Sequence, residues 1–209
     1  MKEIYIKVNI KTINSGMVIS ISGAQCTGKT TLVKALMEEK YFKGNTILTC
    51  SPSRSGIDKG IRLNKEAGLT DQLWIATTYV KNFIEAINFG SKHVISDRCL
   101  IDVLCYTDYH YYKSEGIESN EWSELRDTVT QLLFHVEKSY DYHLILKPEF
   151  DLIDNGVRSI DKVYQKEVND LFTENVNMLM DFVPEKIITL TGSVEDRVNM
   201  VLSLIKTRV

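Results

Sequence analysis

The sequence predicts a three-layer α/β domain, a five-stranded parallel core sheet flanked by helices, with an extra strand ahead of it at the N-terminus. Three observations predict it. Short apolar runs of strand length alternate with longer stretches of helical period from residue 17 to residue 206, the rhythm of strand–helix–strand units whose crossovers force the strands parallel. The first of these runs leads directly into a glycine-rich turn that opens a helix. The 209 residues are 44% hydrophobic and 25% charged, enough to build one such core, with no internal repeat, low-complexity tract or linker.

In chain order, Ile4, Ile6, Val8 and Ile10 alternate with Glu3, Tyr5, Lys7, Asn9 and Lys11, which makes residues 3–13 a half-buried strand, and Asn14-Ser15-Gly16 turns the chain. This extension, 1–16, stands outside the core domain, 17–209, as an added edge strand, a dimer element or a leader ahead of a start near Met17. Residues 17–22 form a strand buried on both faces. Leu32, Val33 and Leu36 set the period of a helix over 29–40, and 46–50 is the second strand. The stretch 51–60 is a polar, turn-rich loop carrying Arg54 and Lys59. It follows a strand, so it belongs to the ligand crevice at the carboxyl edge of an open sheet.

A helix over 71–88 takes its cap from Thr70-Asp71 and stops at Gly90-Ser91. The third strand, 93–97, ends in an acid, Asp97. A helix over 101–113 holds Tyr106, Tyr109, Tyr111 and Tyr112, assigned to packing and amphipathic surface. After a loop at 114–120 comes an amphipathic helix over 121–138, then a strand at 143–146 closed by Pro148. A polar connection, 151–162, leads to a helix over 163–181, a fifth strand at 186–190, and a last helix over 194–206 capped by Thr191-Gly192-Ser193.

The glycine-rich turn reads Gly23-Ala24-Gln25-Cys26-Thr27-Gly28-Lys29-Thr30, the Walker A pattern G-x-x-x-x-G-K-[ST] of a P-loop. Two glycines let consecutive backbone N–H groups wrap around phosphate oxygens where a Cβ would intrude. Lys29 brings positive charge to the β- and γ-phosphates, and Thr30 offers a hydroxyl to Mg²⁺. The helix starts at the loop, so its N-terminal dipole faces the anion. ATP with Mg²⁺ is the expected ligand, held by Gly23, Ala24, Gln25, Cys26, Thr27, Gly28, Lys29, Thr30 and Thr31.

Asp97 is the second anchor: at the carboxyl end of a strand it is placed to hold the metal with Thr30 and to act as general base. Arg98, Arg54 and Gln72 are the candidate acceptor-binding residues. Arg158, in the polar connection, is the candidate to deliver a guanidinium to the transferring phosphoryl group, which makes Lys29, Asp97 and Arg158 the candidate catalytic set. Trp74 is assigned to the core, and none of the four histidines is read as a ligand.

A formal charge of −3 carries no global signal for nucleic acid or anionic membrane. The apolar runs are far short of a membrane span and the charged N-terminus has no signal-peptide core. Cys26, Cys50, Cys99 and Cys105 lack metal-ligand spacing and read as reduced thiols of a cytoplasmic protein.

Taken together, G-A-Q-C-T-G-K-T, Asp71-Gln72, Ser96-Asp97-Arg98 and Asp154-Asn155-Gly156-Val157-Arg158-Ser159 resemble the NadR-type P-loop kinases, the AAA_28-like group, whose best understood activity is nicotinamide riboside kinase. The likeness runs through most of 17–206 and includes Tyr140-Asp141-Tyr142-His143-Leu144-Ile145-Leu146-Lys147. The chain is similar, more weakly, to thymidylate and deoxynucleoside kinases, which have an acid–arginine pair like Asp97-Arg98. The resemblance implies transfer of phosphoryl from ATP to a nucleoside-like hydroxyl. Lys29 and Thr30 match the family P-loop, Asp97 its strand-end carboxylate and Arg158 its lid arginine, with the Thr191-Gly192-Ser193 turn near adenine.

One departure matters. Family members commonly carry a glutamate at the end of the second strand, where this chain has Ser51. Asp97 or Asp58 must then serve as base, or the acceptor differs, and Arg54 with Lys59 suits an acceptor that already bears a phosphate. The expected function is an ATP- and Mg²⁺-dependent kinase of a small nucleoside or nucleotide, in a protein able to form a homodimer. The alternatives are a regulatory NTPase switch, although the G-protein signature N-K-x-D is absent, and a kinase of a modified base in DNA, which the acidic charge disfavours.

Overall fold

A computed structural model describes residues 16–24, 26–89, 93–147 and 161–206, without the side chain of Arg54. The expected N-terminal strand, Gln25 in the P-loop, the helix stop at Gly90-Ser91 and the segment with Arg158 lie outside the described residues.

Five strands, β1 (Val18–Ser22), β2 (Thr46–Thr49), β3 (His93–Asp97), β4 (Tyr142–Leu146) and β5 (Ile187–Leu190), form one all-parallel sheet in the order β2-β3-β1-β4-β5. β1 is central and buried over its whole length, which is why it reads as an unbroken apolar run. Its side chains alternate between two cores. Ile19 and Ile21 pack with Leu32 and Leu36 of α1 (Lys29–Glu38) and Val201 of α7 (Val194–Lys206). Val18 joins the opposite core, built from α3 (Leu69–Asn88), α4 (Leu100–Lys113), α5 (Gly116–Glu137) and α6 (Lys162–Met180). Burying one such aliphatic side chain contributes about 1.5–3 kcal/mol. The expected three layers are present.

Beyond shifts of one or two residues at element ends, the elements differ from the sequence reading in a short helix after β2, in the start of α5 and in the capping of α3. α2 (Ser53–Ile57) lies inside the stretch read as a loop; at five residues it is too short to display a period. α5 starts at Gly116, where a loop to 120 was expected. Its first turn faces solvent with Ile117 exposed, so no apolar stripe marks it. α3 starts at Leu69 with Gly68 as N-cap, and Asp71 caps it from inside the first turn by accepting the Gly68 N–H at 2.8 Å.

A polar seam runs beneath the sheet centre. Ser20 Oγ meets His143 Nδ1 at 2.7 Å, and Ser22 Oγ meets Cys99 Sγ at 3.3 Å. His143 is 0% exposed, and its Nε2 has no partner among the described residues. Burial, then the charge of Lys186, pushes its pKa down to about 3. The folded value lies below the unfolded one, so the unfolded chain takes up the proton first. Stability is therefore complete above the unfolded value, about 6.5, and falls as pH drops through it towards the folded value, by about 2 kcal/mol at about pH 5. Urea unfolding at about pH 7.5 and about pH 5 measures this, and His143→Gln should remove most of the difference. An undiminished acid loss in the variant would assign it to other groups.

Candidate active site

The P-loop is the turn between β1 and α1, and three devices shape it. Gly23 has φ 148, and a Cβ there would lie 2.3 Å from the carbonyl oxygen of Leu146 at the end of β4. Gly28, the N-cap of α1, is left-handed at φ 88, and Cys26 is left-handed as well. Thr27 Oγ1 donates to Ala24 O at 3.0 Å, closing the loop on itself. Lys29, although the first residue of α1, is buried, and its ammonium crosses the loop to Gly23 O at 2.7 Å, Thr27 Oγ1 at 3.1 Å and Ala24 O. Thr30 is half-buried beside it, and Thr31 is exposed on the next step of the helix.

Two groups distant in sequence brace this loop. Arg197 of α7 is only 1% exposed and donates to Thr27 O at 2.9 Å. Asp102 of α4 accepts the Gly23 N–H at 3.4 Å. Sequence reasoning missed both. Arg197 sits on the apolar stripe of α7 with Val198, Val201 and Ile205, and an arginine on a buried stripe is a readable signal. Asp102 follows Arg98 by four residues, the spacing of a helical ion pair.

The register Ile21↔Asp97 sets the end of β3 beside the start of the P-loop. Here the connections leave neighbouring strands onto opposite faces of the sheet, β1 into α1 and β3 into α4, which is the usual ligand crevice of an open α/β sheet. A cleft of about 850 Å³, counted to its open mouth, runs from Lys29, Thr30 and Asp97 to Ser51, Gln72 and Arg98. Asp97 is half-buried, and its carboxylate accepts no side-chain hydrogen bond from a described residue. Arg98 is left-handed at φ 76. Its guanidinium donates to Asp102 Oδ1 at 2.9 Å and lies 5.9 Å from the centre of the Tyr106 ring. Burial opposes that charge, but the Tyr106 hydroxyl and the carboxylates of Asp102 and Asp97 outweigh it and hold the guanidinium pKa above its ordinary value.

Gln72 is buried on the cleft wall. Arg54 is on α2, its side chain outside the description. Ser51, just past the end of β2, accepts from the Tyr79 hydroxyl at 2.9 Å and meets Ser53 Oγ at 3.0 Å. Burial raises the Tyr79 pKa well above its ordinary value, so this phenol stays a neutral donor. Among the described residues the carboxylates on the cleft are Asp97 and Asp102. Asp58, the other candidate base, is exposed at the end of α2.

Trp74 packs over Gly56 with the Lys59 ammonium 5.3 Å from its ring, so neither lines the cleft. Tyr109 packs edge-on against Tyr164, as the packing assignment expects, but Tyr106 of the same cluster lines the cleft. The Thr191-Gly192-Ser193 turn leads into α7, where Ser193 N–H donates to Asp196 Oδ2 at 2.9 Å. Among the described residues there is no cluster of three or more His, Cys, Asp or Glu able to hold a metal on its own, and no helix long and apolar enough to cross a membrane.

Residues 18–197 match the AAA_28 family, described as an AAA domain. A thymidylate kinase of Clostridium novyi (strain NT) is 31% identical over 175 residues, 77% of this chain and 78% of that one. Among solved structures, the NadR protein in complex with NR superposes with a TM-score of 0.67 at 18% identity over 87% of this chain. This chain spans about half of NadR, 47% of its length. A deoxyadenosine kinase from M. mycoides, solved with the products dCMP and dCDP, gives a TM-score of 0.66 at 17% identity, covering 91% of this chain and 100% of that one.

Proposed function

The chain belongs to the AAA_28 family of P-loop domains, and from that membership we propose that it is a kinase transferring the γ-phosphoryl group of ATP to a nucleoside or nucleotide. One observation carries this reading. The phosphate loop does not stand alone; the cleft that begins at Lys29, Thr30 and Asp97 continues beyond it to Gln72, Tyr79 and Arg98, lined by polar and apolar side chains together. A switch that only hydrolyses nucleotide needs no such compartment, whereas a kinase must seat an acceptor in line with the γ-phosphate. The thymidylate and deoxyadenosine kinase names of its relatives support an acceptor of the same class.

In this reading Lys29 and the loop N–H groups neutralise the phosphates. Thr30 and Asp97 line the same end of the cleft and offer oxygen donors, the ligand type magnesium prefers, so they are the residues that would hold the ion. When bound, the ion screens the charge of the β- and γ-phosphates. Asp97 holds the proton of the attacking acceptor oxygen, since Ser51 cannot and Asp58 lies outside the cleft. Arg98 faces the acceptor, Gln72 hydrogen-bonds its base, and Arg54 supplies further charge. Arg158 delivers its guanidinium to the transferring group, and the turn before α7 lies near adenine. The enzyme works in the cytoplasm, and a homodimer is compatible with this reading.

Release of ADP from ATP, measured with thymidine, thymidine 5′-monophosphate, deoxyadenosine or nicotinamide riboside, tests it. Acceptor-dependent release is the expected result. Release independent of any acceptor supports the switch, and phosphate transfer to an oligonucleotide supports the DNA reading. With the productive acceptor, Asp97→Asn should lower kcat by about 10²-fold or more. A loss below about threefold would remove Asp97 from the chemistry.

A further inference from the structure

We infer that Asp102 is a positioning residue: its one carboxylate holds Arg98 in the acceptor cleft and ties that arginine to the phosphate loop, so the two halves of the site are set in register. The kinetic part of this inference rests on the kinase reading.

Asp102 is 2% exposed, and a buried carboxylate persists only when its charge and lone pairs are matched. Its oxygens divide the task. Oδ2 accepts the Cys99 N–H at 3.0 Å, while Oδ1 accepts both Arg98 Nη1 at 2.9 Å and the Gly23 N–H at 3.4 Å. The cap at Cys99 holds the peptide that follows Arg98, and the ion pair holds its guanidinium. Both ends of Arg98 are thus fixed by one group. That matters because Arg98 has a left-handed backbone, φ 76, a conformation that a non-glycine residue keeps only where its surroundings over-determine it. A helix cap by itself requires no buried charge, and serine or threonine would supply it. The charge is explained by the guanidinium and by the reach to Gly23. The neighbouring Asp97 has no such commitment among the described residues, so of two carboxylates on the cleft one orients and the other is available for chemistry.

The test is a double-mutant cycle of D102N and R98Q, read with ATP and whichever of the four acceptors supports turnover. D102N keeps the shape and the cap and removes the charge. It should lower kcat about tenfold or more, while affinity for AMP-PNP with magnesium changes less than about threefold. In the R98Q background D102N should add less than about twofold, because its partner is already gone. A loss equally large in that background, or one that falls on AMP-PNP affinity alone, would make Asp102 a brace of the loop and nothing more, and overturn the inference. If D102N does not fold, D102E, which displaces the carboxylate by one methylene, enters the same cycle and is judged by the same two criteria.

A second readout needs no activity. In protein carrying isotope-labelled arginine, the Arg98 guanidinium, assigned by its absence in R98Q, should show restricted Nη rotation in the wild type and averaged signals in D102N or D102E. Unchanged signals would overturn the inference. If no acceptor supports ADP release, the kinase reading falls and this spectrum alone decides the role of Asp102.

Discussion

Lys29→Ala should lower phosphoryl transfer by about 10²–10³-fold, the effect of removing one preorganised charge from a water-poor site. The expectation comes from where the ammonium lies. It crosses the P-loop to Gly23 O, Thr27 Oγ1 and Ala24 O, within reach of any phosphate the loop encloses. Truncation removes that charge and also strands loop acceptors that are buried, at a cost of about 1–3 kcal/mol. Nucleotide affinity should therefore fall together with kcat. Lys29→Arg should not restore activity, because a planar fork cannot reproduce a point donor bonded in three directions. Calorimetric titration with AMP-PNP and steady-state ADP release measure both quantities. Unchanged affinity and turnover in Lys29→Ala would move the phosphate site away from this loop.

Gly23→Ala should strongly destabilise the fold at the phosphate loop. Its Cβ would sit 2.3 Å from Leu146 O and 3.2 Å from Thr27 Oγ1, on a backbone at φ 148. The first neighbour is the carbonyl of a core strand and cannot swing aside, so the loop must lift from β4. That combines backbone strain with overpacking, about 2–4 kcal/mol. Gly44→Ala is the matched control: it too has a positive φ, 77, but nothing lies within 4 Å of its added Cβ. It should cost only the left-handed penalty, about 1–2 kcal/mol. Urea unfolding of both variants separates the two mechanisms, and equal losses would mean that the contact with Leu146 is not what holds the loop down.

What was legible in the sequence was local. Buried β1 and the apolar stripes of α1 and α7 display their periods directly. The Gly23–Thr30 spacing announces a phosphate loop, and Asp97 closes an apolar strand. α2 and the first turn of α5 were not legible, because one is too short to show a period and the other faces water. Tyr106 was grouped with packing tyrosines because helical spacing does not say which face borders a cavity; the structure puts it on the cleft wall.

By itself, then, the sequence determined the alternation of strands and helices, the phosphate loop and the acid at the end of β3, since backbone propensity, side-chain period and loop chemistry act over a few residues. Only the tertiary structure decided which distant charges serve that loop. Asp102 reaches Gly23 across 79 positions, and Arg197 reaches Thr27 across 170. Such partners are chosen by where the sheet order brings helices together and by the need to match every buried charge, and no local pattern of residues encodes that pairing.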